Sequence, residues 1–264
     1  DLSLAARGEE FSRMETYVGR PIAMKGPFEL KGRITDKPPQ GYRIEDFYLT
    51  VGPNDIAATV DIDLSGPRPD VNVDVTSRHL NLQPFFQTQT EPPPSDRQPD
   101  TISATDPAFS AGQLLELADV ALKMQAGNVD LPEVSFKDLT IQAALSDGRV
   151  DFEIEAPAVP DLEALTGLTR MSDLGPFRIA GSLEDTDRRL NLVDLRGRTG
   201  RPASVEVEVT GVLRDLLTRP ELNLDFRLEG DDAAELEKYI VEPWPLQGPF
   251  RLTGRMVTGS PDLF

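Results

Sequence analysis

The chain contains no cysteine and one histidine, His79. Without thiols there is no disulfide framework, no thiolate zinc site and no cysteine nucleophile. A single histidine removes multi-histidine metal sites. A Ser-His-Asp triad would have to use His79, but no G-x-S-x-G segment accompanies it. Neither G-x-x-x-x-G-K-[ST] nor G-x-G-x-x-G occurs, so phosphate-cradling loops have no support, and Gly197 and Gly200 read as part of a basic turn. No apolar run approaches the roughly 20 residues of a membrane helix, and no basic, apolar leader opens the chain. Positive charge is scarce as well. Against 27 Lys and Arg stand 45 Asp and Glu, and a net charge of −18 repels phosphate backbones, so no nucleic-acid partner is expected.

What is abundant is alternation. Ile56, Ala58, Val60, Ile62 and Leu64 interleave with Ala57, Thr59, Asp61, Asp63 and Ser65, the pattern of a strand with one dry and one wet face. Across the turn at 65–70, with Gly66 and two prolines, Val71, Val73 and Val75 continue it. Leu139, Ile141, Ala143 and Leu145 face Val150, Phe152 and Ile154 across Asp147-Gly148, a strong hairpin signal. Further runs are Val205, Val207, Val209 and Leu222, Leu224, Phe226, Leu228. Within 42–51 the phase slips between Ile44 and Phe47, and a bulge near Glu45-Asp46 would return both to one face.

A nine-residue segment recurs. Gly26-Pro27-Phe28-Glu29-Leu30-Lys31-Gly32-Arg33-Ile34 returns as Gly175-Pro176-Phe177-Arg178-Ile179-Ala180-Gly181-Ser182-Leu183 and as Gly248-Pro249-Phe250-Arg251-Leu252-Thr253-Gly254-Arg255-Met256. The first interval is about twice the second, as though one copy were missing. Amphipathic stretches at 9–18, 161–168 and 232–240 precede the copies and predict helices of one to three turns, and 79–86 predicts the start of another. The expected organisation is a mainly β chain of repeated antiparallel units with short amphipathic helices, forming an elongated curved groove. A helix-plus-four-strand repeat covers 1–87, a disordered Pro-rich loop 88–107, a shortened β unit 108–160, a second full repeat 161–231 and a truncated one 232–264. The strand at 250–256 is expected to leave an open edge.

The order of these elements resembles the AsmA-like family of bacterial envelope proteins. The likeness rests on the Gly-Pro-Phe strand, on Tyr42, Ile44-Glu45-Asp46-Phe47, Leu49 and Val51-Gly52, on Asn54-Asp55-Ile56 and on Gly66-Pro67-Arg68-Pro69. His79-Leu80-Asn81-Leu82 before a Pro-rich insertion, and the stretch from Ala118-Asp119-Val120 to Asp147-Gly148-Arg149-Val150, complete it. The resemblance implies a periplasmic body anchored in the inner membrane through segments outside this chain. It further implies phospholipid traffic or outer-membrane maintenance along an apolar gutter, with the rest of the polypeptide continuing the sheet at both open edges. No cofactor is expected.

Acyl chains would lie against Phe28, Leu30, Ile56, Val60, Ile62, Val71, Val73, Phe177, Ile179, Val205, Val207, Leu222, Leu224, Phe226, Phe250 and Leu252. The competing reading is a structural or adhesive β protein in which the same residues fill a sealed core. Catalysis has weaker support. Asp61 with Asp63 and Glu206 with Glu208 set carboxylates about 7 Å apart along a strand, but these are the wet side of amphipathic strands. Asp61 through Gly66 begins like a calcium loop, yet Asn72 stands where its bidentate glutamate belongs. The chain is therefore expected not to be an enzyme.

Overall fold

The computed structural model describes residues 1–15, 22–87, 118–160, 169–186, 189–201, 204–216, 220–239 and 245–258. The first half contributes β1 (Leu2–Gly8), β2 (Phe28–Asp36), β3 (Gly41–Val51), β4 (Asn54–Asp63), β5 (Asp70–Ser77) and the two-residue β6 (Leu80–Asn81). Then come β7 (Asp119–Asp130), β8 (Ser135–Ser146), β9 (Arg149–Ala156) and β10 (Phe177–Thr186). The last four are β11 (Arg189–Gly200), β12 (Val205–Arg214), β13 (Glu221–Gly230) and β14 (Phe250–Val257). Helix is confined to short pieces: 3-10 turns at Phe11–Met14, Met171–Leu174 and Ala233–Lys238, and one α-helical turn at Gln83–Gln87.

All fourteen described strands form one open sheet, in chain order from β1 to β14, with β6 beside β7 off the main path. Neighbours are antiparallel except at one joint, where β5 and β6 both run parallel to β7. Antiparallel neighbours need only a hairpin, whereas a parallel pair requires a crossover of a dozen residues or more. The Pro-rich insertion falls in that crossover, and residues 88–117 lie outside the described residues, as does the stretch at 161–168.

Two corrections to the sequence reading concern strands. The amino-terminal segment alternates Leu2, Leu4 and Ala6 with Ser3, Ala5 and Arg7, too few and too small a set to stand out, yet it pairs with β2 throughout. Gly197 is in the middle of β11 and Gly200 ends it, so the basic turn is a strand whose Arg196 and Arg198 alternate with Leu195, Gly197 and Thr199.

The bulge inferred at Glu45-Asp46 is present. The register of β3 shifts between Ile44 and Phe47 against β4 and between Glu45 and Tyr48 against β2, and Asp46 takes a left-handed φ of 52°. The strand β11 shifts in the same way between Leu192 and Leu195, with Asp194 at φ 54°. Each extra residue kinks the strand and keeps Ile44 with Phe47, and Leu192 with Leu195, on one face.

The three Gly-Pro-Phe segments also share local geometry. Gly26, Gly175 and Gly248 adopt φ of 104°, 98° and 86°, which an L side chain resists, and the phenylalanine that follows begins β2, β10 or β14. A 3-10 turn lies before each segment. In the first, the Glu10 carboxylate accepts from the N–H of Ser12 at 3.3 Å and, sixteen residues on, from the N–H of Gly26 at 2.9 Å. In the last, Asp232 accepts from the N–H of Ala234 at 3.1 Å and, again sixteen residues on, from that of Gly248 at 2.8 Å. Each carboxylate thus caps its turn and ties it to the strand entry.

The Gly26 N–H, followed by the Ser12 hydroxyl and N–H, holds the Glu10 carboxyl below its usual range, and the N–H groups of Ala234 and Gly248 do the same for Asp232. A lowered folded-state pKa contributes stability that is complete above the unfolded value of about 4 and is lost as pH falls through the folded one. Glu10→Gln and Asp232→Asn are therefore expected to lower the melting temperature slightly near neutrality and to flatten its decline below pH 4. Thermal melts between pH 7 and 2 check this, and unchanged acid sensitivity in the double variant would contradict it.

Candidate functional face

Strand alternation and register together sort the side chains onto two faces. One cross-strand row runs Phe47, Ala58, Val75, Met124, Ile141, Ile154, Ile179, Gly197, Val209, Phe226, Gly254, from β3 to β14 without a polar member. A second, nearer the hairpin ends formed by the turns at 64–69 and 147–148, runs Ile62, Val71, Val120, Leu145, Val150, Leu183, Leu192, Leu213, Leu222. Between them lies Leu2, Ile34, Ile44, Val60, Val73, Leu122, Ala143, Phe152.

All sixteen candidate residues fall on this face. Val60 and Val73 are in the middle row, Ile62, Val71 and Leu222 in the hairpin-side row, and Ile179 and Phe226 in the long row. Phe177, Val207 and Leu252 share a further row through Thr199 and Leu228, while Leu30 pairs with Leu49 and Leu49 with Ile56. Phe28 meets Val51, Val205 and Phe250 flank Gly230, and Leu224 lies beside Gly211 and Met256. The sequence reading left out Phe47, Leu122, Met124, Val209, Leu183 and Leu192. Phe47 and Val209 were legible from alternation, whereas Leu192 was hidden by the unread strand β11.

Depth varies across the face in one direction. Val51, Ala126, Leu139, Ala156, Phe177 and Val205 are buried, along the margin where Leu80, Val159, Leu174 and Tyr239 from the turns and connections close over the strand ends. Toward the turns at 64–69 and 147–148, Val60, Ile62, Val73, Leu122, Phe152 and Leu224 are half-buried. Every described strand belongs to the one sheet, so no second sheet among the described residues covers them. At the two lateral edges the same rows are open: Leu2 is 57% and Leu252 51% exposed.

The opposite face is charged. Asp61 pairs with Lys37 at 3.2 Å and Arg43 at 3.1 Å, Arg198 with Glu206 at 3.0 Å, and Glu229 with Arg227 at 2.7 Å and Arg251 at 3.0 Å. The Arg227 hydrogen bond, outweighing burial and joined by Arg251, holds the Glu229 carboxyl below its usual range. Arg149 bridges Asp151, Asp194 and Glu184. Such exposed pairs are worth little individually, and they keep this side in water. Shallow depressions are found on this charged side. One of about 440 Å³ opens where Ala121 and Ala144 lie low among Asn72, Asp74, Lys123 and Gln142.

Asp61 and Asp63, and Glu206 and Glu208, lie on the charged face, with Asp61 and Glu206 in ion pairs. His79 contacts Asn128 at 3.2 Å and Asp130 at 3.4 Å beside the parallel joint. Among the described residues no cluster of three metal-binding side chains occurs, and no helix is long and apolar enough to cross a membrane. No family model matches the chain, and neither a curated protein nor a solved structure matches it.

Proposed function

We propose that the apolar face carries phospholipid acyl chains, as one stretch of a lipid-conducting surface in an AsmA-like periplasmic protein anchored in the inner membrane. The observation that carries this reading is the set of unbroken apolar rows on a sheet that has no second sheet over it among the described residues. Thirteen strands on the main path, at about 4.8 Å each, make a surface roughly 60 Å long, about twice a bilayer's hydrocarbon thickness. The recurring Gly-Pro-Phe entries, capped turns and acidic bulges support a repeat. Half-burial of side chains without a covering layer supports curvature toward the apolar side.

Passage along such a surface is passive. An acyl chain of about sixteen carbons exposed to water costs on the order of 12 kcal/mol at roughly 0.8 kcal/mol per methylene. A uniform apolar floor removes most of that barrier, and because each row resembles the next it creates no deep local well. Headgroups remain in water at the hairpin side, where the face is least covered. Under the sealed-core alternative, a layer covering rows from β3 to β14 would have to come from outside the described sheet.

A photo-crosslinking residue at Ile62, Val73, Val207 or Leu224 is expected to capture phospholipid in cells, while Asp61, Asp63 and Glu206 capture none, because neighbours on a strand point to opposite faces. Mass spectrometry of the adducts reads the outcome. Equal labelling of both faces, or none on the apolar one in folded full-length protein, removes the proposal.

A further inference from the structure

Glycines interrupt the apolar rows, and the space above each is taken up differently. Gly32 and Gly197 are lightly covered: a Cβ there would meet Phe47 at 3.5 Å and Val209 at 3.7 Å, both ordinary contacts. Gly211 is a backbone requirement, with φ of 153° and the Asn223 carbonyl oxygen 2.1 Å from where a Cβ would stand. Gly181 and Gly254 differ from both kinds. Gly181 lies opposite Phe152 and continues the middle row, and Gly254 lies opposite Phe226 in the long row.

At these two positions the side chains of the apolar face itself fill the space. A Cβ on Gly254 would lie 2.2 Å from Cζ, 2.6 Å from Cε1 and 3.0 Å from Cε2 of Phe226. A Cβ on Gly181 would lie 2.9 Å from Cδ1 of Leu192 and 3.4 Å from Cζ of Phe152, with the Val193 carbonyl oxygen at 3.3 Å. The far end of the Phe226 ring therefore reclines across β14, and the tip of Leu192 reclines across β10. Gly181 is buried and Gly254 half-buried, under side chains that are themselves half-buried. Glycine within a strand weakens it, and its presence marks a close approach. A methyl group on either glycine would push the ring or the leucine away from the sheet, into the path along the rows. The closest atoms it meets are side-chain ends, so the fold accommodates the change by moving the surface of the face.

We propose that Gly181 and Gly254 are positioning residues of the apolar face, which let Leu192 and Phe226 lie down and so keep the floor level for an acyl chain crossing β10 and β14. The inference rests on the lipid reading above and adds to it the residues that set the height of the floor. A chain lifted off the floor over about two methylenes passes about tenfold more slowly.

The test measures transfer of a pyrene-labelled phospholipid between phosphatidylcholine vesicles by the intact chain and its variants. Gly181→Ala and Gly254→Ala are each expected to slow transfer about tenfold while keeping a cooperative melt, and Gly32→Ala is expected to change neither. Trimming the displaced side chain should restore the rate: Leu192→Val in the Gly181→Ala chain, and Phe226→Leu in the Gly254→Ala chain. In the parent, a nuclear Overhauser contact between the Gly254 α-protons and the Phe226 ring protons reports the reclining ring without reference to lipid. Transfer at the parental rate in both glycine variants overturns the inference and leaves the lipid reading standing. Slowing that the second substitution does not relieve, loss of the cooperative melt, or a missing Overhauser contact also overturns it. A parent chain that transfers no lipid removes the lipid reading, and this inference with it.

Discussion

Val205→Asp is expected to unfold the protein, whereas Leu224→Asp is expected to leave it folded and to stop lipid passage. Both residues lie on the apolar face, on neighbouring strands, and differ in depth. Val205 is 2% exposed, within the buried margin that includes Phe177 and Tyr239. A carboxylate there has no partner and no route to water, and a loss of about 3–5 kcal/mol is expected. That is a large share of the 5–15 kcal/mol typical of a folded domain. Leu224 is half-buried and lies opposite Gly211 on the neighbouring strand. An aspartate at this position can reach solvent, so the expected cost is the lost leucine burial, about 1–2 kcal/mol. It nevertheless places a hydrated charge across the path of an acyl chain. Urea unfolding and vesicle-to-vesicle lipid transfer, measured on the same preparations, separate the two effects. If Leu224→Asp destabilises as much as Val205→Asp, the face is sealed and the lipid proposal is abandoned.

The dry and wet faces were legible because period-two alternation survives wherever a strand has one solvated side. That is why Ile56 through Ile62 and Leu222 through Leu228 read as strands, and why the phase slip between Ile44 and Phe47 points to a bulge. What alternation does not encode is partnership. The parallel joint between β5 and β7 is set by a crossover whose ends are far apart in the chain, and no local pattern at Asp70–Ser77 or Asp119–Asp130 marks its direction. The strand β11 was obscured for a different reason. Its bulge interrupts the phase, and Gly197 occupies an inward position, so the apolar signal drops out although the strand pairs with both neighbours.

Depth was the other quantity missing from the sequence. Val205 and Leu224 carry equivalent alternation signals, and only the closure of turns over one margin makes the first a core residue and the second a surface one. The helices expected ahead of the Gly-Pro-Phe strands are, where described, 3-10 pieces of four to six residues. Their function in the fold is to place Phe11, Leu174 and Ala233 over that margin, a task that a few residues suffice for. Phe11 packs edge-on against Phe28 with ring centroids 5.2 Å apart.

The corner that launches the parallel joint depends on one carboxylate. Asp55 accepts from the N–H groups of Arg78 and His79, each at 2.9 Å, and from Arg78 Nε at 2.9 Å, while its neighbour Asn54 donates to the Val51 carbonyl at 3.2 Å. Asp55→Ala leaves two backbone donors without an acceptor at a turn that must hold β6 against β7. The expected loss is about 2–4 kcal/mol, and about half that for Asp55→Asn, which keeps an acceptor but not the charge. Burial pushes the Asp55 carboxyl upward, but the Arg78 side chain and the two backbone donors together hold it below its usual range. Its contribution is therefore complete above the unfolded value of about 3.9 and is lost as pH falls through the folded one, a decline that Asp55→Asn should remove. Amide exchange locates the effect. The Asn128 N–H, bonded to the Arg78 carbonyl at 3.0 Å, should exchange faster in Asp55→Ala, whereas amides shared by β12 and β13 should keep their rates. Uniform acceleration would mean that Asp55 supports the whole sheet, and an unchanged Asn128 would mean that the corner holds without it.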